Sequence, residues 1–108
     1  MFVTMRKQIV TEGNVDKVVG RFSKEGIIEK QPGFIDCTVM VKKARRSEEG
    51  EEVVILMRWE SEEDWKNWEK SPEHIAGHKA KLGQPKPEYI VSSDGGKYDV
   101  VAVKKAVE

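Results

Sequence analysis

The sequence predicts an α+β domain in which a split β-α-β unit encloses one antiparallel sheet, and three observations carry that prediction. Residues 2–10, 34–43 and 51–59 are runs rich in β-branched and apolar side chains, and further such runs close the chain. Between the first two lies an apolar stripe at helical spacing, Val15, Val18, Val19 and Phe22. After the third comes an acid-capped helical stretch. The resulting order, β-α-β-β-α-β, is that of the ferredoxin-like class. A length of 108 residues suits one domain spanning 1–108.

Each element has a local cause. In FVTMRKQIV, Val3, Met5 and Ile9 alternate with Phe2, Thr4, Arg6 and Gln8, the period-2 signature of a strand. Gly13-Asn14 stops it, and Asn14 is a candidate N-cap for the first helix. SKEGIIEKQPG is broken by glycines and a proline. FIDCTVMVKK and EEVVILMRW then pair as a hairpin with a long charged tip, ARRSEEG. Ser61 offers a hydroxyl to an orphan N–H, and Glu62, Glu63 and Asp64 meet the positive end of the second helix.

Ser71-Pro72 ends that helix and starts another, with proline at its first position and Gly83 as the C-terminal cap. After the loop GQPKPE, EYIVSS and KYDVVAV flank Asp94-Gly95-Gly96, which locally reads as a hairpin turn. The second run is expected to be the closing strand.

Composition excludes several functions. Nineteen basic and nineteen acidic side chains cancel, so no positive field attracts a phosphate backbone and nucleic acid is not an expected partner. No signal peptide or run of eighteen apolar residues is present, so the protein is expected to be cytoplasmic and not membrane-bound. Cys37 is the one cysteine, and it reads as a small buried hydrophobe.

Chemistry concentrates in NWEKSPEHIAGHKAK, residues 67–81, which holds Trp68 and both histidines. His74 and His78, four apart, share a helix face, a spacing that lets two imidazoles hold one metal. A zinc site needs further ligands, and only Glu69 or Glu73 is close in sequence; both also suit a helix dipole. His78 alone reads as a polar helix residue touching solvent. Gly77 beside it costs about 1 kcal/mol relative to alanine within a helix, and with Ala76 it would let a large flat ligand approach the backbone. Trp65 reads as a core contact. Trp68 and His78 would stand roughly 80° apart on an unbroken helix, a divergence the Ser71-Pro72 break can remove.

Trp59-Glu60-Ser61, Trp68-Glu69-Lys70-Ser71 and Ala76-Gly77-His78-Lys79 together resemble the Isd-type haem-degrading monooxygenases of Gram-positive bacteria, within the antibiotic biosynthesis monooxygenase family. The resemblance extends to the helix ending in Arg21-Phe22, the Pro32-Gly33-Phe34 entry to the second strand, and the ten-residue spacing from Trp68 to His78. It implies a homodimer whose two sheets join into one α+β barrel, with a haem site in each subunit between helices and sheet. By the resemblance His78 is the proximal ligand of the haem iron, Trp68 presses on the macrocycle, and Phe22 and Gly77 contact the haem. The family's strand-one asparagine is here Arg6. Arginine is a permanent donor-only cation, suited to a haem propionate or bound dioxygen, or else to a surface glutamate.

The implied reaction uses haem as both substrate and cofactor, opening the tetrapyrrole with dioxygen and electrons from an external donor and releasing iron. The chain carries no nicotinamide or flavin fingerprint. Two other functions fit the same residues: a cofactor-independent quinol-type monooxygenase, in which tryptophan and histidine bind substrate and move protons, and a non-enzymatic haem-binding or stress protein. His74 is expected to matter little for haem binding.

Overall fold

The computed structural model describes residues 1–43, 50–83 and 87–107. Strand β1 (Phe2–Val10) leads into helix α1 (Val15–Ser23), then through a 3-10 turn at Ile28–Lys30 to β2 (Phe34–Val41) and β3 (Glu51–Trp59). Helices α2 (Glu62–Lys70) and α3 (Pro72–Lys81) follow, and β4 (Ile90–Asp99) ends the order. The four strands form one antiparallel sheet ordered β2-β3-β1-β4, the ferredoxin-like arrangement that the sequence predicts. Most of the charged β2–β3 tip, residues 44–49, and residues 84–86 of the loop before β4 lie outside the described residues.

One sheet face carries the core. Val10, Val53, Ile55 and Ile90 are buried together with Val18 of α1. Burying a valine as completely as Val18, 1% exposed, stabilises the fold by about 1.5–3 kcal/mol. At the other end of the same face, Phe2 meets Trp65 of α2 with ring centroids 5.3 Å apart, so Trp65 is the sheet contact expected of it. Because side chains alternate along a strand, Thr4, Arg6 and Gln8 share the face of Phe2, while Val3, Met5 and Ile9 point away from the helices. The residues opposite that second row include Leu56 and Tyr98.

The start of α2 is tied to the entrance of β2. The Ser61 hydroxyl accepts from the Asp64 amide at 3.1 Å and donates to Asp64 Oδ2 at 2.9 Å, which confirms the expected cap. The Glu60 amide donates to the Gly33 carbonyl at 2.8 Å. Gly33 has φ +82°, and a Cβ there would collide with the Asp64 side chain, so glycine is required on both counts. Asn14 occupies the N-cap position of α1 without donating its side chain to that role; its amide nitrogen bonds Thr11 Oγ1 at 2.6 Å.

The C-terminal strand departs from expectation. Asp94-Gly95-Gly96 makes no turn, and β4 runs straight through it, pairing with β1 from Val10↔Ile90 to Phe2↔Asp99. Neither glycine has the positive φ that the tight hairpin turn demands. Gly95 serves close approach: a Cβ there would sit 2.9 Å from the Met5 carbonyl oxygen. KYDVVAV is therefore not the closing strand as a unit. Its first three residues finish β4, and the rest runs past the end of β1, where the Val100 amide bonds the Met1 carbonyl at 2.9 Å. The length of β1 sets that limit.

Gln8 is buried to 4% exposure, and its Oε1 atom has no hydrogen-bond partner among the described residues. An unpaired buried carbonyl costs about 1–3 kcal/mol. Gln8→Met, close in volume and free of that carbonyl, is expected to leave the urea midpoint unchanged or raise it; a loss above about 1 kcal/mol would show that the amide does structural work.

Candidate active site on the broken α2–α3 helix

The site is made by the interruption at Ser71. Its backbone N–H donates to the Trp68 carbonyl at 3.0 Å, closing α2, and its hydroxyl donates to the same carbonyl at 2.7 Å. That hydroxyl also accepts the His74 amide at 3.2 Å, opening α3, with Pro72 in the first turn. One side chain thus ends one helix and begins the next. Ser71 has φ −65° and ψ 147°, so the chain turns out of helical geometry for a single residue. Gly83, with φ +82°, follows the end of α3 in the expected capping role.

The turn brings together side chains that an unbroken helix would separate. Trp68 and His74 are six positions apart, roughly 120° around a continuous helix, and Glu69 and His74 roughly 140°. In the structure the Trp68 and His74 rings meet edge to face at 4.9 Å, and Glu69 Oε2 lies 2.6 Å from His74 Nε2. His78, one turn further on the same face, meets the His74 ring edge to face at 4.4 Å, with the two Nε2 atoms 2.9 Å apart. Trp68, His74 and His78 form a continuous row, flanked by the Glu69 carboxylate.

Exposure grades along the row. The His74 side chain is 18% exposed, and His78 is open to solvent. Beside His78, a Cβ added to Gly77 would meet nothing within 4 Å. The surface next to the exposed imidazole is therefore bare backbone with room above it, which fits a broad flat ligand.

The remaining predicted residues stand on other elements. Arg6 lies on the helix-side face of β1 between Ile55 and Gly95, exposed, and makes no ion pair among the described residues. The glutamate on this part of the sheet pairs instead with its neighbour, Lys7, at 3.3 Å from Glu52. Phe22 is half-buried against the core of α1 and the sheet, with the Arg21 guanidinium 5.6 Å over its ring. Cys37 also packs against that core; burial pushes its thiol pKa up, and Asp36 adds to the shift. A protonated thiol is a poor nucleophile or metal ligand.

His74 is the residue whose contacts the sequence did not disclose. It touches Trp68, Glu69 and His78 at once. The available signal was Ser71-Pro72 itself: once that pair resets the helix, counting 100° per residue across it no longer separates His74 from Trp68.

Comparison with known proteins identifies the family. Residues 1–80 match the family model for antibiotic biosynthesis monooxygenases. The chain belongs to that family. Within the antibiotic biosynthesis monooxygenase family it is similar to the haem-degrading monooxygenase HmoA of Bacillus subtilis (strain 168), with 59% identity covering 97% of this chain and 95% of the relative. The crystal structure of an antibiotic biosynthesis monooxygenase from Bacillus cereus superposes with a TM-score of 0.83 at 50% identity, covering 99% of this chain and 97% of that one. The haem degrader MhuD from Mycobacterium tuberculosis, with two haems bound in its active site, shares the fold at a TM-score of 0.65 and 20% identity, covering 97% and 100% of the two chains.

Because Ser71 caps two helices at once, Ser71→Ala is expected to lower stability by about 1–2 kcal/mol in urea unfolding. A change under about 0.5 kcal/mol would show that Pro72 alone sets the break.

Proposed function

We propose that this chain is a haem-degrading monooxygenase in which His78 is the proximal ligand of the haem iron. The observation that carries the reading is the exposed His78 imidazole beside Gly77, at the open end of the Trp68–His74–His78 row. The likeness to HmoA over nearly the whole chain supports the same substrate. Haem, when bound, supplies the redox-active iron at which dioxygen and electrons from an external donor react, and ring opening frees that iron.

The chain's own residues hold and orient the substrate. His78 offers one ring nitrogen to the iron, and His74, now 2.9 Å from that nitrogen, gives way to it. Trp68 walls the site and limits how the macrocycle can lie, which is positioning rather than proton transfer. Gly77 lets the ring edge approach the α3 backbone. Arg6, a cation without an ion pair among the described residues, is suited to a propionate or to the distal side, and Phe22 to the apolar edge of the ring. The reductant is a separate molecule, and neither flavin nor nicotinamide is assigned to this chain.

The working unit is one domain assembled as a homodimer. The sheet face turned from the helices presents Met5, Ile9, Val54 and Leu56 half-buried, with Met40 44% and Tyr98 49% exposed. A second copy covering that face would remove this apolar surface from water and join the two sheets. Among the described residues no helix is long and apolar enough to cross a membrane. A cytoplasmic location completes the proposal, and a lone half-buried thiol such as Cys37 stays reduced there.

Two variants test the reading. His78→Ala is expected to weaken haemin binding at least ~10-fold and to lose the shifted Soret band, measured by titration; binding equal to the parent's would remove His78 from the site. Trp68→Phe is expected to bind haemin but, given ascorbate and air, to release chelatable iron more slowly, by up to ~100-fold. Unchanged turnover would show that the indole does not position the ring.

A further inference from the structure

We propose that Glu69, His74 and His78 form a second binding site on this surface, a two-histidine, one-carboxylate site for a divalent first-row transition-metal ion. One ligand atom from each of the three side chains lies within 4.8 Å of the others, with His74 Nε2 at 2.6 Å from Glu69 Oε2 and 2.9 Å from His78 Nε2. This is the donor set that binds non-haem ferrous iron and its neighbours while leaving coordination positions free for water.

Protons serve the arrangement only poorly, through a single His74 Nε2–H shared between two acceptors. His74 Nε2 lies 2.6 Å from Glu69 Oε2 and 2.9 Å from His78 Nε2. An imidazole nitrogen has one in-plane valence, filled by either a proton or a lone pair. If His74 Nε2 donates to Glu69, it cannot also accept from His78, and the one proton must be divided between the carboxylate and the His78 lone pair. If it accepts from His78, its lone pair faces the carboxylate. A cation set among the three takes one lone pair from each, with both histidines carrying their protons on Nδ1.

Two of the three separations suit an ion. Adjacent ligands of an octahedral ion at about 2.0–2.1 Å are about 2.9 Å apart. The His74–His78 separation already has that value, and the Glu69–His74 separation is 0.3 Å below it. Glu69, 40% exposed at the side chain, has the freedom to swing its carboxylate toward His78. Glu73, the other acid near the pair in sequence, is not among the converging ligands.

The ion and haem compete for His78. This competition rests on the proposed function above: without haem, His78 would be available to complete the site with Glu69 and His74.

The test is a titration of the full-length, haem-free protein with cobalt(II), followed through its visible d–d absorption, and repeated anaerobically with ferrous iron in competition. One cobalt ion per chain is expected, displaced by ferrous iron, with affinity reduced at least ~10-fold in Glu69→Gln and in His74→Ala. No cobalt band, or equal affinity in both variants, overturns the site. Equimolar haemin added to the cobalt-loaded protein is expected to expel the ion. If cobalt binds as described and haemin gives no shifted Soret band, the metal site stands and the haem function fails; if haemin binds and cobalt does not, the reverse holds.

Discussion

The Ser71 hydroxyl, shared between the Trp68 carbonyl and the His74 amide, is the constraint on which the candidate site depends. A continuous helix through residues 62–81 would spread Trp68, Glu69, His74 and His78 around its circumference. One non-helical residue changes their relative phase and collects them on one side. The energetic cost is small, because the same hydroxyl and the Ser71 amide satisfy helix-end groups that would otherwise lack partners, and Pro72 has no amide hydrogen to satisfy.

The sheet supports this arrangement from below. Trp65, three residues before Trp68, is fixed by Phe2 and lies 5.1 Å below the Lys97 ammonium, and Gly33 admits Asp64 at the head of the same helix. Helix α2 is therefore held at its start and middle, and its end is free to present the site. The helix-side face of β1 combines core residues with one cation, Arg6, while the opposite sheet face, uncovered by any described helix, mixes apolar side chains such as Met5, Ile9 and Leu56 with the Lys7–Glu52 and Arg58–Asp36 ion pairs.

The sequence made most of the fold legible because each element obeyed its local rule. The valine stripe of α1, the Ser61 cap, the Ser71-Pro72 break and the Gly83 cap are all where the residues put them. The exception was β4. Asp94-Gly95-Gly96 has the composition of a turn, but nine partner residues on β1 hold the strand straight through it, and local propensity loses to the ladder. Trp68 and His78 were singled out by the family resemblance, but the contacts of His74 could not be read from the sequence. Its contacts with Trp68 and Glu69 exist only after the helix has been reset in three dimensions, and no periodic count along the chain carries that information. Gln8 was equally hidden, since alternation assigned it a face and gave no indication that the face was buried there.

The central claim is that the broken helix presents His78 to iron with Trp68 alongside and His74 set back. Paramagnetic NMR of the ferric haem complex, with tryptophan and histidine side chains isotopically labelled, reads this directly. The claim predicts ring resonances of His78 displaced furthest, the Trp68 indole strongly relaxed, and His74 perturbed less than His78. Displacement centred on His74, or no residue in this helix pair affected, would contradict it.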